Sequence, residues 1–551
     1  MLTDPYLTKQ LIAYIGNKRA LLPFLSKVFD SLELGENSSF SDPFSGSGAV
    51  SRLGKKKGFK VYSNDWEYYS YVVNSCFIGI DKNETASMFK SRGGLDGIFN
   101  ELNSLKSDFI PYVSKHYAPK DTDSADYFTE RLFYTRENAL FIDRARTFIE
   151  ELYPENSIYE FEKKEKNLLL ASLLYEVSTH ANTSGVFKAC HKGFGGHGKD
   201  ALGRIMAPMF MEKPNLINSS HSHSVSQMDA LDFVKNISTD VCYLDPPYNM
   251  HQYGSNYFML NTVALWDRPK VNQERGVDGR FKEKAGIRKD WKNTKSPYCY
   301  KKQAPESFSE LMNNIDSRYI ILSYNTEGII PFNQLFDTME SHGKVNLHIK
   351  DYTLYKGGKQ SLSRKNHNME LLLVVDRNGK SDGKDRMKVE RFLNEKKVLT
   401  KMKQPYNPDK ISKVFNFKKP EVCTLDRGIK DVKMFKEYKF VDTPKDLSLL
   451  SEDRLIKLND KLSSAICEDN KEETLVLLDL LDREVDKKNI RKIQKRLLIV
   501  YKKLAFKKYV DIFNEISVIL HKKISDNDSR FTDIKDKIGE IENIAELRFK
   551  G

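Results

Sequence analysis

Residues 243–249 read Tyr243-Leu244-Asp245-Pro246-Pro247-Tyr248-Asn249, and the apolar run Val241-Cys242-Tyr243-Leu244 leads into them. Such a run predicts a short buried strand. The two prolines then keep the chain out of helix, because each fixes φ near −65° and has no N–H to donate. A strand that ends this way holds an acid, backbone carbonyls and an aromatic face at one rigid edge. That equipment suits a flat base bearing an exocyclic amine. Asp245 and the Pro246 carbonyl can accept the two amine hydrogens, Pro247 stiffens the turn, and Tyr248 can stack on the ring. The plain alternative is a Pro-stiffened turn after a buried strand, so the rest of the chain has to decide.

Working outward, the next informative stretch lies near the start. Tyr14-Ile15-Gly16-Asn17-Lys18-Arg19 precedes an apolar-periodic helix from Leu21 to Phe29. A Gly-Asn-Lys turn there offers N–H groups and a cation to a carboxylate; a simple capped helix is the alternative. Asp42-Pro43-Phe44-Ser45-Gly46-Ser47-Gly48 then sits between a strand signal and a helical stretch, 49–57. Glycines at 46 and 48 let backbone approach a ligand, as in the first strand–helix turn of a doubly wound sheet. The third glycine of the dinucleotide pattern is missing, which disfavours nicotinamide. Asp65 ends the following strand signal, 59–65, about where such folds grip a ribose diol; a helix cap is its other reading. Asp229, before the helical stretch through Val234, either accepts the amine of a bound adenine or caps that helix.

Between these motifs the strand–helix rhythm breaks. Residues 85–178 are mainly helical in pattern, and 182–196 form a Gly-, Lys- and His-bearing loop in which Lys188, His191 and Lys192 are candidate DNA contacts. His191, His197, His221 and His223 have no Cys or carboxylate at ligand spacing, so no metal site is expected. Residues 267–302 carry twelve Lys/Arg against five acids, punctuated by Phe281, Trp291, Tyr298 and Tyr300. Cations interleaved with aromatics suit phosphate contact and base stacking, and Arg275, Arg280, Lys282, Arg288 and Lys289 are the candidates. A solvated insertion is the alternative. Strands are expected at 318–325 and 369–375, the latter closing the sheet, with Lys356, Lys359 and Arg364 on a Gly- and Lys-rich loop between them.

Whole-chain properties agree. A length of 551 residues implies at least two domains. A net charge of +13 favours a polyanionic partner. The six scattered cysteines read as reduced thiols, and the lack of an apolar run of about 18 residues or a leader points to a soluble, cytoplasmic protein with no membrane partner.

Asp42-Pro43-Phe44-Ser45-Gly46-Ser47-Gly48, Asp245-Pro246-Pro247-Tyr248 and the leading Tyr14-Ile15-Gly16-Asn17-Lys18-Arg19, in this order, resemble the Dam-like (alpha-group) DNA adenine N6-methyltransferases over roughly residues 8–376. The resemblance implies an α/β, Rossmann-like S-adenosyl-L-methionine-dependent sheet with an inserted, mainly helical target-recognition region. By position it places Lys18, Phe44, Gly46 and Gly48 on the methionine part of the cofactor, with Tyr14, Asn17 and Asp42 in the same site. Asp65 falls on the ribose, Asp229 on the cofactor adenine, and Asp245 to Tyr248 on a target base flipped out of double-stranded DNA. The expected domains are 1–80 and 225–376 for the methyltransferase, 81–224 for the insertion, 377–440 for a basic linker and 441–551 for a C-terminal helical domain. A restriction-modification or phage-defence setting is implied as well, while the existence of a cognate endonuclease and the oligomeric state are left open. The rival readings are a cytosine-N4 or RNA methyltransferase, which Asp rather than Ser before Pro-Pro-Tyr disfavours, and a catalytically idle DNA-binding protein of this fold.

Overall fold

The computed structural model describes residues 4–35, 37–154, 159–196, 199, 201–325, 328–349, 370–380, 384–419, 421–444 and 446–550. The chain forms two compact units, one comprising 1–352 with 368–385, the other 353–367 with 386–551. No helix among the described residues is long and apolar enough to cross a membrane.

The first unit is built on a seven-stranded sheet, with β1 Ser39–Asp42, β2 Lys60–Asn64, β3 Ser224–Ser226, β4 Ser238–Leu244, β5 Asp316–Asn325, β6 Lys344–Ile349 and β7 Glu370–Asp376. Their spatial order is 3-2-1-4-5-7-6, and β7 alone runs antiparallel to its neighbours. The expectation that 369–375 closes the sheet therefore needs correction. That strand lies between β5 and β6, and β6 is the edge. Both of its edges are paired, and its run Leu371–Val375 is buried throughout, as for a strand covered on both faces.

Strand order reverses between β1 and β4, so the loops leaving their carboxyl ends diverge and open a crevice. Register aligns Phe40 with Val241 and Ser41 with Cys242. The ends of the two strands, Asp42 and Leu244, thus reach the same sheet edge. Helix Ala49–Lys56 ties the N-terminal segment to this frame. Its Arg52 is fully buried, lies 3.4 Å from the Phe77 ring centre, and donates to the carbonyls of Lys9 and Gln10 at 3.0 Å each. The insertion between β2 and β3 is helical, chiefly Gly94–Asn103, Arg136–Leu152 and Glu160–Thr179, and its apolar residues join the same core as the sheet.

The second unit differs from expectation in its first part. Instead of a linker, 384–440 carries helices Lys384–Lys401 and Pro408–Val414 and a four-stranded antiparallel sheet, β8 Asn416–Lys419, β9 Val422–Thr424, β10 Val432–Phe435 and β11 Lys439–Phe440. Val398, Met402, Tyr406, Ile411 and Phe415 point into a core. Fourteen Lys/Arg in 377–419 mask that sparse apolar pattern in a composition reading. The remainder is helical as anticipated: Glu452–Ala465, Asn470–Arg483, Lys487–Leu504 and Val510–Ser525, with a further helix, Lys535–Lys550, that periodicity did not disclose.

Candidate active site

Asp245 emerges from β4 with its side chain largely covered, and its Oδ1 lies 3.0 Å from Lys18 Nζ. Lys18 is itself buried. It begins a short 3-10 turn, Lys18–Leu21, whose start is capped by Asn17 Oδ1 accepting from the Arg19 amide at 2.8 Å. Asn17 is thereby engaged in local structure, where the sequence placed it on a ligand. Gly16, at φ +79°, lets this turn pass Tyr248, whose hydroxyl lies 3.0 Å from where a Cβ would stand. Tyr248 meets Tyr324 edge-on at 6.1 Å, and its carbonyl accepts from the Ile329 amide at 3.1 Å. Acid, cation and aromatic ring of the first-read motifs therefore form one cluster.

The glycine loop leaves β1 beside them. Gly46 and Gly48 have φ of +50° and +75°, the region that side chains disfavour. A Cβ on Gly46 would stand 2.9 Å from the Tyr14 ring, and one on Gly48 2.5 Å from Asn74 Oδ1. Tyr14 is held by stacking on Tyr253 and Tyr257, at 5.2 and 4.8 Å between ring centres. Asp65 braces the loop. Its Oδ2 accepts from the Gly46 amide at 2.7 Å and its Oδ1 from the Glu67 amide at 2.9 Å. The carboxylate expected on a ribose thus has both oxygens engaged by backbone, although the residue still lines the crevice. Asp229 keeps both of its readings, for it caps its helix through the Leu231 amide at 2.8 Å and faces the same crevice.

That crevice is an open cavity bordered by Tyr14, Phe44, Asp65, Asp229, Asp245 and Tyr248. A contiguous group, Asn17, Lys18, Asp42 and Gly46 among them, lines a smaller pocket around the glycine loop. Tyr298 and Glu67 are among the lining residues that sequence alone did not place here. Tyr298, read there as part of a DNA-facing aromatic series, is buried and sets its ring perpendicular to Phe44 at 5.3 Å. Glu67 follows Asp65 by two residues, is buried, and accepts from Asn261 Nδ2 at 2.5 Å. Burial, with the Asp65 charge adding to it, pushes its carboxyl up to about 7. An acid just past a strand end looks in sequence like a helix cap, and its burial depends on residues nearly two hundred positions away.

Asp42 is the most enclosed acid of the site. Its Oδ2 accepts from Ser51 Oγ at 2.8 Å, while Oδ1 is buried with no hydrogen-bond partner among the described residues. Burial pushes this carboxyl up to about 8. The native protein therefore holds a proton that the unfolded chain gives up at ordinary carboxylate pH. The stabilisation is complete below about pH 4 and is lost as pH rises toward about 8. An Asp42→Asn variant, neutral throughout, should gain stability relative to wild type across that window, with a rise in melting temperature that grows as pH goes from about 4 toward about 8. Melting curves of the two proteins at about pH 5 and about pH 8 check this, and a constant difference between them would show that Asp42 is ionised throughout.

Of the candidate DNA contacts, Lys188 and Lys192 are exposed and His191 half-buried, on a loop pinned by the buried Asn182, which donates to Leu132 O at 2.9 Å and accepts from the Gly195 amide at 3.2 Å. Arg275, Arg280 and Lys282 are exposed on a hairpin closed by Gly276 N to Arg280 O at 2.8 Å and Lys282 N to Glu274 O at 2.9 Å, and Lys289 is exposed nearby. Arg288 must be corrected. It is buried and grips Asp267 and Asp290, each at 2.6 Å, so it braces the loop and does not face a phosphate. Lys356, Lys359 and Arg364, like His197, lie outside the described residues. Among the described residues no group of three His, Cys, Asp or Glu is placed to hold a metal ion.

This geometry has named counterparts. A family model described as D12 class N6 adenine-specific DNA methyltransferase matches residues 14–315, more than half of the chain. Type II methyltransferase M.NlaIII of Neisseria lactamica is 34% identical over 353 residues, 63% of this chain and 93% of that protein. Type II methyltransferase M.CviAII of Paramecium bursaria Chlorella virus 1 is 29% identical over 349 residues, 63% of this chain and 93% of its own length. Modification methylase LlaI of Lactococcus lactis subsp. lactis is 29% identical over 369 residues, 66% of this chain and 54% of that methylase. The match begins at Tyr14 and carries the glycine loop, Asp65, Asp229 and the Asp245 turn on one sheet, and on that ground the chain belongs to the D12 class of N6 adenine-specific DNA methyltransferases.

Proposed function

We propose that the cavity at the ends of β1 and β4 binds S-adenosyl-L-methionine and a flipped adenine side by side, and that Asp245 to Tyr248 act on the adenine amine. The observation that carries this reading is the convergence of the Asp245 turn, the glycine loop and Lys18, 3.0 Å from Asp245, around one crevice. The residues suit the cofactor. Carboxylates of Asp65, Glu67, Asp229 and Asp245 border the space, a favourable surrounding for a sulfonium cation and ribose hydroxyls. Phe44 and Tyr298 offer apolar faces for a purine ring, and Gly46 leaves room where a Cβ would fill the cradle. When bound, S-adenosyl-L-methionine supplies an electrophilic methyl group.

The protein's part is alignment. The adenine amine is a weak nucleophile because its lone pair is shared with the ring. Asp245 and the Pro246 carbonyl accept its two hydrogens, which favours a tetrahedral nitrogen and stabilises the positive charge it gains. Lys18 holds the Asp245 side chain and balances its charge. Pro246 and Pro247 fix the turn. Tyr248 stacks on the base and offsets part of the few kcal/mol needed to unstack it. Asp42, Tyr14 and Asn17 support the glycine loop and the turn from behind. The insertion 81–224, with Lys188, His191 and Lys192, and the exposed cations Arg275, Arg280, Lys282 and Lys289 supply the phosphate contacts that position the duplex.

The relatives are named as Type II methyltransferases and a modification methylase, and we extend that role to this chain. It marks one short sequence in cellular DNA, in the cytoplasm, against a restriction endonuclease that cuts the same sequence. Sequencing that detects modified bases, applied to DNA from cells expressing the chain, should show N6-methyladenine at a single motif. Finding N4-methylcytosine, modified RNA alone, or no modification would favour the cytosine, RNA or idle alternatives in turn.

A further inference from the structure

Residues 487–508 contain ten Lys/Arg and no acid. The helix Lys487–Leu504 buries Ile493, Leu497, Val500, Tyr501 and Leu504 in the core of the second unit, which fixes its rotation. The opposite half of the helix, at 100° per residue, holds Lys487, Lys488, Arg491, Lys495, Lys502 and Lys503, all exposed. Arg496, at the border of this face, pairs with Glu473 at 2.7 Å, and Lys492 lies over the Phe435 ring at 5.2 Å. The six named cations have no ion pair among the described residues.

A merely solvated helix face is expected to mix signs, as neighbours here do: Arg483 pairs with Asp479, and Arg391 with Glu395, each one turn apart. On 487–504 the corresponding spacings set like charges together, Lys487 with Arg491, Lys488 with Lys492, and Arg491 with Lys495, an arrangement that destabilises an isolated helix. A polyanion laid along the row would relieve that repulsion. The row extends about 24 Å, and duplex DNA presents one negative charge per about 1.7 Å of axis. We propose that this face is a second, sequence-independent contact of the enzyme with the phosphate backbone of duplex DNA. It lies outside the stretch that the family model matches, and it holds the protein on DNA while the first unit reads its target.

The test uses the full chain and a duplex lacking any modified motif, with anisotropy titrations across a salt series. The triple variant Lys488→Gln, Lys495→Gln, Lys502→Gln should lower the slope of log affinity against log salt by about 2.7, near 0.9 for each lost phosphate contact, and weaken binding more than tenfold at low salt. The matching Lys→Arg triple should restore both. Methyl transfer at saturating DNA should be unchanged in the variant, so a failure of the methyltransferase reading shows itself separately, as inactivity of the wild-type protein. An unchanged salt slope in a normally melting variant overturns the proposal. So does a change in sedimentation mass without a change in slope, which would make the face a protein interface.

Discussion

Asp245→Ala should reduce methyl transfer to duplex DNA by on the order of 10²–10³ or more, the usual cost of removing one preorganised partner of a developing charge. Affinity for S-adenosyl-L-methionine should stay within a few-fold. The two effects separate because Asp245 is assigned to the adenine amine, while Asp229 and Phe44 border the rest of the crevice and Gly46 the smaller pocket beside it. Loss of Asp245 also removes the carboxylate that lies 3.0 Å from the buried Lys18 ammonium, a cost to the site separate from the chemistry. Asp245→Asn is therefore the cleaner companion. It keeps the shape and one acceptor, and its activity should fall between those of wild type and the Ala variant. Single-turnover methylation beside calorimetric titration of the cofactor checks both parts. Near-normal methylation by the Ala variant would remove Asp245 from the chemistry.

Gly46→Val should have the opposite signature, with cofactor binding weakened at least tenfold and activity lost as a consequence. Two costs coincide at this position. The backbone is left-handed at φ +50°, which costs an ordinary residue about 1–2 kcal/mol and a β-branched one more. The new Cβ would also stand 2.9 Å from a Tyr14 ring that Tyr253 and Tyr257 hold in place. Displacement of the loop breaks the bond from the Gly46 amide to Asp65. Thermal melting accompanies the titration, since a fold that survives with unchanged affinity would place the cofactor elsewhere.

The parts of the site that were legible in sequence are those where local chemistry leaves few options. Two prolines after an apolar run restrict the turn at Asp245, and glycines at 46 and 48 mark backbone that no side chain could follow. The parts that were not legible depend on partners distant in sequence. Arg288 reads as one more cation in a basic loop until Asp267 and Asp290 are seen on either side of it. Glu67 draws no notice in sequence until Asn261 and the wall of the cavity bury it. Asp65 was placed at the right strand end, but its reach into the glycine loop is a tertiary fact. Residues 384–440 show a different limit. A small sheet with short strands needs few apolar residues, and fourteen cations across 377–419 drown that signal. Strand β7 was found but not its seat, because nothing in its own residues tells a central strand from a closing one.

The seat of β7 has a consequence for how the protein is made. Its seven residues pair with β5 from Tyr319–Asp376 to Asn325–Glu370 and with β6 on the other side. Until the ribosome has passed residue 376, β5 presents a bare backbone edge beside the finished strands that carry the glycine loop and Asp245. At translation speeds of about 5–20 residues per second, that edge stands open for several seconds after β5 is complete. It is a template for pairing with another nascent chain. Expression at low temperature or with chaperones should thus raise the soluble yield of chains truncated before residue 370 far less than that of chains ending after 376, because the former never acquire the strand that seals the sheet.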